Sequence, residues 1–389
     1  MIPRIRLKSK EEYDLVMNYR NGSIPPVKPK DEPKPFVLSA WNYATGKMMD
    51  IEEYCIHYNL PKDDILEYKL VTHTGTPYYN TRFKEAKSFE NSLDEDFIAS
   101  VIEKHIKPVK INFKIPSFFS GEWFDRVIYT DFHNGMDTNK DGIAMYATPW
   151  NFDEQKRRIE IMAEEVLRHQ TGRVLRVDNL GDYQDGYDGQ TIRGGHQLPQ
   201  NKSNAQSFDD GVFFYVRFID MVAGNYDVIH LDIITNDNHS GSFGYVTASA
   251  VKMILEMKYS HVKVTIHRSF INHYVVGKHA FVITHGKDDK TLKFGFKPKL
   301  DAVQIEKIDG YLKHNKIYQQ AEFIEFSKGD SHQMLLDYCT SDDFQYFNYP
   351  AFSPSSEWVQ NNFKKGRSGF VIQNIKYNEN VKNIIPKFF

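Results

Sequence analysis

From about residue 125 onward the chain alternates short apolar runs with polar loops and amphipathic stretches, and this alternation constrains its fold most strongly. The runs "RVIYT" (126–130), "RVLRV" (173–177), "DVIHLDIIT" (227–235), "VKVTI" (262–266), "AFVIT" (280–284) and "EFIEF" (322–326) read as strands. They are short and rich in β-branched residues, which pack well on a pleated sheet. Between the first two, "DEQKRRIEIMAEEVLRHQ" (153–170) places Ile159, Met162 and Val166 along one face of a helix. "DDGVFFYVRFIDMVAG" and "TASAVKMILEM" predict helices before the third and fourth strands. Strand, loop and helix in rotation define an α/β class.

The chain is too long for one ordinary core, at 389 residues, and long enough for two domains. The stretch "NGSIPPVKPKDEPKPF" (21–36) reads as an extended linker, because its prolines and alternating charges disfavour helix and sheet. Beyond it, "MMDIEEYCIHYNLPKDDILEYKLV" (48–71) predicts two short helices. Asp50 and Glu53 form a capping box, and "NLP" stops the first helix before "KDDILEYKL" starts the second. Such a pair fits either a DNA-reading helix-turn-helix or a plain helical hairpin. The expected organisation is therefore a mainly helical accessory module over 1–120 and a larger domain over 121–389.

Composition narrows the function classes. A hydrophobic content of 41%, with 28 Phe and 23 Tyr, is enough for a substantial interior. The formal net charge of −2 excludes a strongly basic nucleic-acid domain but not a local basic groove. With Cys55 and Cys339 as the only cysteines, a disulfide framework and a Cys-rich zinc site are both excluded. The opening "MIPRIRLKSKEEYD" lacks the apolar core of a signal peptide, and no apolar run reaches membrane-spanning length. The expectation is a soluble cytoplasmic protein with no membrane partner.

The polar ends of the strands carry the chemistry. "ITNDNHSG" (234–241) follows a buried strand with residues that gain nothing from a core; alone, it reads as a turn. Yet the pattern recurs. "VIYT" is followed by Asp131 and His133, "VLRV" by Gly181, Asp182 and Asp185, "IIT" by Asn238 and His239, "FVIT" by His285, and "FIEFSKG" by Asp330 and His332. In α/β sheets ligands bind at the carboxyl ends of strands. Asp, Asn and His supply the oxygen and nitrogen donors that suit Mn, Fe, Zn and Mg. Five such ends in succession point to a metal centre.

This order of D-x-H, G-D-x-x-D, N-H, H and G-x-x-H resembles the calcineurin-like metallophosphoesterase superfamily over roughly 125–375, closest in type to its DNA-repair exonuclease branch. The C-terminal "SPSSEWVQNNFKKGRSGFVIQNI" is similar to that family's last strands. The resemblance implies a four-layer αββα sandwich and two divalent metals. It assigns one ion to Asp131, His133, Asp182 and His332, and the other to Asp182, Asn238, His285 and Asp330, with Asp182 shared. It makes His239 a histidine that acts on substrate and not on metal. Two departures stand out: Asp237 replaces the family's Gly before Asn-His, a change tolerable if Asp adopts a left-handed conformation, and Asp330 replaces a ligating His.

Further residues are weighed beside this set. Asp185 is a candidate to orient a ligand, or a solvated loop acid. In the polar loop 189–204, Arg193, His196 and Lys202 are candidates to reach a phosphate. His267, His273 and His279 rival His285, which is preferred because it directly follows a strand. "DTNKDG" (137–142) imitates the start of a calcium loop, but its twelfth position falls on Thr148 and not Glu, so it reads as an Asx-rich turn.

Two cations roughly 3.5–4 Å apart neutralise a phosphoester and turn a shared water into a bridging hydroxide nucleophile. The expected function is a metal-dependent phosphodiesterase acting on nucleic acid as a DNA exo- or endonuclease, with His239 and Asp182 as its catalytic pair. The alternatives are a phosphatase or phosphodiesterase for nucleotides or phosphoproteins, and a non-catalytic scaffold. The carboxylate of Asp330 in place of an imidazole favours a hard ion, Mn²⁺ above Mg²⁺, Fe or Zn²⁺.

Overall fold

In the computed structural model the apolar runs become buried strands. The structure describes residues 40–42, 47–57, 62, 65–72, 77–83, 93–107, 121–146, 148–286, 292–294, 299–362 and 366–389. The linker read at 21–36 lies outside the described residues. The chain divides into two units, Met1–Ser88 and Phe89–Phe389. The division falls before the boundary expected at 120.

In the first unit β1 (Trp41–Asn42) pairs antiparallel with β2 (Lys47–Met48), followed by α1 (Ile51–His57). The capping box is present: the Glu53 amide donates to Asp50 Oδ1 at 2.8 Å, and the Asp50 amide donates to Glu53 Oε2 at 3.3 Å. A small core of Ala40, Met49 and Tyr54 packs with Tyr79. The second expected helix is instead a strand, β3 (Ile65–Val71), which pairs antiparallel with β4 (Tyr78–Phe83). The described part of this unit is therefore mainly β, and among its described residues Ile65–Val71 form a strand where the second helix of a helix-turn-helix or helical hairpin was expected. Cross-strand pairing outweighs the helical spacing that "ILEYKLV" permits.

The second unit opens with α2 (Glu95–His105), β5 (Trp123–Tyr129), α3 (Phe152–Arg168), β6 (Val174–Asn179), α4 (Asn204–Val222), β7 (Val228–Ile234), α5 (Gly241–Lys258) and β8 (Val262–His267). It continues through β9 (Asn272–Val276), β10 (His279–Thr284), α6 (Ala302–His314), β11 (Phe323–Lys328), β12 (Leu335–Asp337), β13 (Gln345–Asn348), α7 (Glu357–Asn362), β14 (Gly369–Lys376) and β15 (Lys382–Phe388). One sheet has the order β15-β14-β5-β6-β7-β8, the other β12-β13-β11-β10-β9. Strands β5 to β8 run parallel, as do β10, β11 and β13, so their carboxyl ends collect on one side of each sheet.

Three apolar clusters order the layers. Phe124, Ile128, Phe281, Ile283, Phe347 and Val371 fill the space between the sheets. A larger cluster buries the outer face of the six-stranded sheet under α3, α4 and α5, with Ile159, Met162, Phe214, Ile219, Val251 and Ile254 contributing. Ile308 and Leu312 of α6 cover the five-stranded sheet. The result is the four-layer αββα sandwich. Of the stretch expected to hold last strands, Gly369–Lys376 forms β14, while Glu357–Asn362 forms α7 instead. No helix among the described residues is long and apolar enough to cross a membrane.

One charged side chain sits within the inter-sheet layer. Arg126 on β5 is fully buried and donates through Nε to Asp178 Oδ2 on β6 at 2.7 Å. Its Nη1 reaches Glu325 Oε1 on β11 at 2.5 Å, and Nη2 reaches Ser327 Oγ at 3.1 Å. Lys382 on β15 pairs with the same glutamate. Removing one partner of such a pair strands the others without water. Arg126→Met is expected to lower unfolding free energy by about 3–5 kcal/mol in urea titration. A loss below about 1 kcal/mol contradicts this account.

Candidate metal centre

The sheets bring the polar strand ends together because their loops are stitched to each other by backbone hydrogen bonds. The amides of Asp131 and His133, after β5, donate to the carbonyls of Gly181 and Asp182, after β6, at 3.1 and 2.9 Å. Gly329 N–H, after β11, donates to His285 O, after β10, at 3.1 Å. The cost is local strain. Asp131 (φ 54°), His133 (48°), Asp182 (47°), Asp330 (64°) and His332 (52°) all adopt the left-handed region. Side chains with a Cβ rarely occupy that region, and such outliers cluster at functional sites. Gly181 (φ 103°) has a second reason to be glycine, since a Cβ there would lie 2.9 Å from His285 Cβ.

Within this frame the donors are aimed. Asp131 Oδ2 accepts from Thr130 Oγ1 at 2.8 Å and from the Asp330 amide at 3.1 Å. Those bonds turn Oδ1 towards His332 Nε2 at 3.2 Å and His133 Nε2 at 3.8 Å. Asp182 Oδ1 accepts the His239 amide at 3.1 Å, and Oδ2 faces His285 Nε2 at 3.0 Å. His285 Nδ1 donates to the Leu180 carbonyl at 3.0 Å, which leaves Nε2 as the presented atom. Asp330 Oδ1 lies 3.9 Å from the same Nε2. Asn238 Oδ1 is buried with no hydrogen-bond partner, the state of an amide oxygen awaiting a cation.

Asp185 orients two imidazoles at once. Its Oδ1 is 3.0 Å from His133 Nδ1 and 3.3 Å from His239 Nδ1. The two rings meet edge to face, with centroids 4.6 Å apart. His239 Nε2 sits 3.8 Å from Asp182 Oδ2, so proximity alone also permits it as a ligand.

Three overlapping sets place one ligand atom per residue within 4.8 Å of each other: Asp131, His133 and His332; Asp131, Asp182 and His285; and His133, Asp182 and His239. Asp131 and Asp182 are buried carboxylates shared between these sets. Nitrogen and carboxylate donors at this spacing fit divalent transition metals.

The electrostatics require positive charge here. Burial opposes the charged form of His285, but the carboxylates of Asp182, Asp131 and Asp330 outweigh it and push the imidazole up to about 10. His239 is likewise buried, yet Asp182 and Asp185 push it up to about 9. Burial also opposes ionisation of Asp182, and the His285 and His239 imidazoles still hold it well below the usual carboxylate range. Divalent ions would take over the role of those imidazolium protons.

Not every candidate from the sequence joins the centre. His196 lines the cavity, but Arg193 does not: its Nη2 donates to Asn236 Oδ1 at 2.8 Å and it lines a separate, smaller cleft with Tyr245 and Arg268. Lys202 is drawn into a buried network with Asn134 Oδ1 at 2.9 Å and Asp210 at 2.7 Å. The rival histidines are occupied elsewhere: His267 by Asp232 at 2.9 Å, His273 by Tyr311 at 2.9 Å, and His279 by the Lys376 carbonyl at 2.8 Å. Residues 137–142 do form an Asx turn, with the Asn139 amide on Asp137 Oδ1 at 3.0 Å.

Asp237 is the residue that sequence reasoning missed. It is not among the positive-φ residues, so its role is not that of a glycine substitute. Its carboxylate accepts the amides of Asp182 (3.0 Å), Ser240 (2.6 Å) and Gly241 (3.1 Å), fixing the shared ligand to the start of α5. Burial and the neighbouring Asp182 push it up to about 6. The available signal was an Asp four residues before a helix that begins with Gly.

A cavity of about 820 Å³ opens over the cluster, lined by His133, Asp182, Asn238, His239, Asp330 and His332 and also by Ile143 and Trp358 from two further segments.

No protein-family model matches the chain, and no curated protein sequence matches it. Among solved structures it is similar to a conserved uncharacterised protein of Streptococcus pneumoniae, described as a predicted phosphoesterase, at 8% identity and a TM-score of 0.28, covering 68% of this chain and 98% of that one. It is similar to a 5'-nucleotidase from Candida albicans at 10% identity and a TM-score of 0.27, over 67% of this chain and 52% of that one. A sulfate thiohydrolase of Thermus thermophilus, in complex with glycerol, matches at 9% identity and a TM-score of 0.30, over 71% of this chain and 58% of that one. At such scores these likenesses carry no functional inference, which rests on the side chains above.

The raised imidazoles set a pH test. An unfolded histidine titrates near 6.5, so the stabilisation from His285 and His239 is complete below that pH and is lost as pH rises through about 9–10. Metal-free protein is expected to lose about 2 °C or more of Tm between pH 7 and 10. Mn²⁺ is expected to raise Tm more at pH 9 than at pH 6.5, because ligands must be deprotonated. A Tm gain independent of pH contradicts the assignment of imidazoles as ligands.

Proposed function

We propose that the chain is a two-metal phosphoester hydrolase of the metallophosphoesterase type, acting on phosphodiesters of nucleic acid. The observation that carries this reading is the buried Asp182 carboxylate, with one oxygen on the His239 amide and the other facing imidazoles from two further loops. Asp131, His133, Asp182 and His332 would hold one ion, and Asp182, Asn238, His285 and Asp330 the other. When bound, such a pair supplies charge neutralisation for the phosphoryl group and an ionised water as nucleophile.

The chain's own residues do the rest. Asp185 lies 3.3 Å from Nδ1 of His239, which leaves Nε2 as the atom to deliver a proton to the departing oxygen. Asp237 holds Asp182 in place. The carboxylate of Asp330 adds a hard donor beside His285, which supports Mn²⁺ over Zn²⁺. A cavity of about 820 Å³ accommodates more than a bare phosphate, which supports a nucleotide-sized substrate and the DNA nuclease reading. The formal net charge of −2 favours the second reading, hydrolysis of nucleotides or phosphoproteins.

Purified protein with Mn²⁺ or Zn²⁺ is to be assayed on labelled single- and double-stranded DNA, bis-p-nitrophenyl phosphate and p-nitrophenyl phosphate. Cleavage of DNA and the diester, faster with Mn²⁺, is expected. Turnover of the monoester alone supports the second reading, and inactivity on all four overturns both. His239→Ala is expected to keep both metals by elemental analysis while kcat falls about 10²–10⁴-fold. Loss of one ion from that variant makes His239 a ligand.

A further inference from the structure

The cavity over the metal centre is also lined by two segments that the hydrolytic chemistry leaves unused. The turn 137–146 and helix α7 are far apart in sequence but interlocked. The amide of Ile143 donates to Glu357 Oε1 at 3.1 Å. Tyr146 N–H donates to Gln360 Oε1 at 3.0 Å, and Gln360 Nε2 donates back to the Tyr146 carbonyl at 3.2 Å. The turn is braced internally by the Ala144 amide on Asn139 Oδ1 at 3.0 Å. The wall is thus a hydrogen-bonded unit.

Lys140, Asp141, Glu357 and Asn361 give this lining polar groups, and large apolar side chains stand exposed among them. Ile143, Met145, Tyr146 and Trp358 are 67, 79, 57 and 55% exposed. Ile143 and Trp358 line the same cavity as Asp182, His239 and His332. Large apolar side chains gathered at the mouth of a pocket mark a binding surface, whereas scattered ones do not. The same cavity is lined by Asp182, Asn238, Asp330 and His332, donors that would take cations and, through them, a phosphate. A ligand that satisfies both groups has an anionic phosphoester at one end and a flat apolar ring at the other.

We propose that Trp358 is the stacking platform for one unstacked nucleobase of the substrate, with Ile143 beside it, so that the site selects single-stranded or terminal nucleotides over an intact duplex. This rests on the phosphodiester reading above. Within a duplex each base already stacks on its neighbours, so a base free to lie on Trp358 must be unpaired or splayed out. Stacking on an aromatic face tolerates every base, so the preference is for strand state and not for sequence.

The test compares thymidine 5'-(p-nitrophenyl phosphate) with methyl p-nitrophenyl phosphate, which share the diester and the leaving group and differ in the nucleoside. Trp358→Ala is expected to lower the ratio of their kcat/KM values about 5- to 150-fold, chiefly through KM, the range of base stacking on an aromatic side chain. Trp358→Phe is expected to restore much of that ratio. An unchanged ratio in folded Trp358→Ala overturns the proposal while leaving the hydrolase reading intact. Binding is read separately: single-stranded oligothymidylate is expected to quench tryptophan fluorescence more than its duplex with oligoadenylate does. That quenching is expected to vanish in Trp358→Phe, and quenching that survives the substitution overturns the proposal even if no diester is cut.

Discussion

The candidate site depends on a carboxylate held where a carboxylate should not be stable. Asp182 is 2% exposed, carries an ordinary hydrogen bond from the His239 amide on one oxygen, and turns the other towards imidazoles. A buried charge of this kind is costly unless it is paired. The surrounding architecture meets that requirement by collecting His285 and His239 from the ends of two other strands. The left-handed backbone at Asp131, His133, Asp182, Asp330 and His332 is the conformational cost of turning five donors inward within two to four residues of a strand end.

Two of the buried polar systems have different characters. Around Arg126, Asp178, Glu325, Ser327 and Lys382 pair across the two sheets, with Asp178 Oδ1 left without a partner. That network holds β5, whose end carries Asp131 and His133, against β11, whose end carries Asp330 and His332. At the metal centre the pairing stays incomplete, with Asn238 Oδ1 unsatisfied and the imidazoles pushed up to about 9 and 10. The structural network carries its own fixed cations, Arg126 and Lys382, whereas the metal centre gathers its acids with imidazoles.

Much of this was legible in the sequence because its signals are local. β-branched runs mark strands, and Asp, Asn and His just past them have no role in a core, so β5, β6, β7, β8, β10, β11 and the seven candidate donors could be read directly. What failed was whatever depends on a distant partner. "ILEYKLV" permits a helix, yet it pairs with Tyr78–Phe83 as a hairpin. Arg193 and Lys202 have the right charge to reach a phosphate, but Asn236 and Asp210 draw them elsewhere. Asp237 looked like a strained replacement for glycine and is instead the acceptor that fixes Asp182. Trp358 gave no signal at all, because its place in the cavity is created by the Glu357 and Gln360 contacts to a turn more than two hundred residues away.

The central claim is that two cations share Asp182 at the meeting point of the strand ends. Crystals grown with Mn²⁺ and measured on both sides of the manganese absorption edge test it directly. The account predicts two anomalous peaks, roughly 3.5–4 Å apart, one towards Asp131 and His332 and one towards Asn238 and His285, with the Asp182 carboxylate between them. A single peak, or peaks away from Asp182, contradicts it.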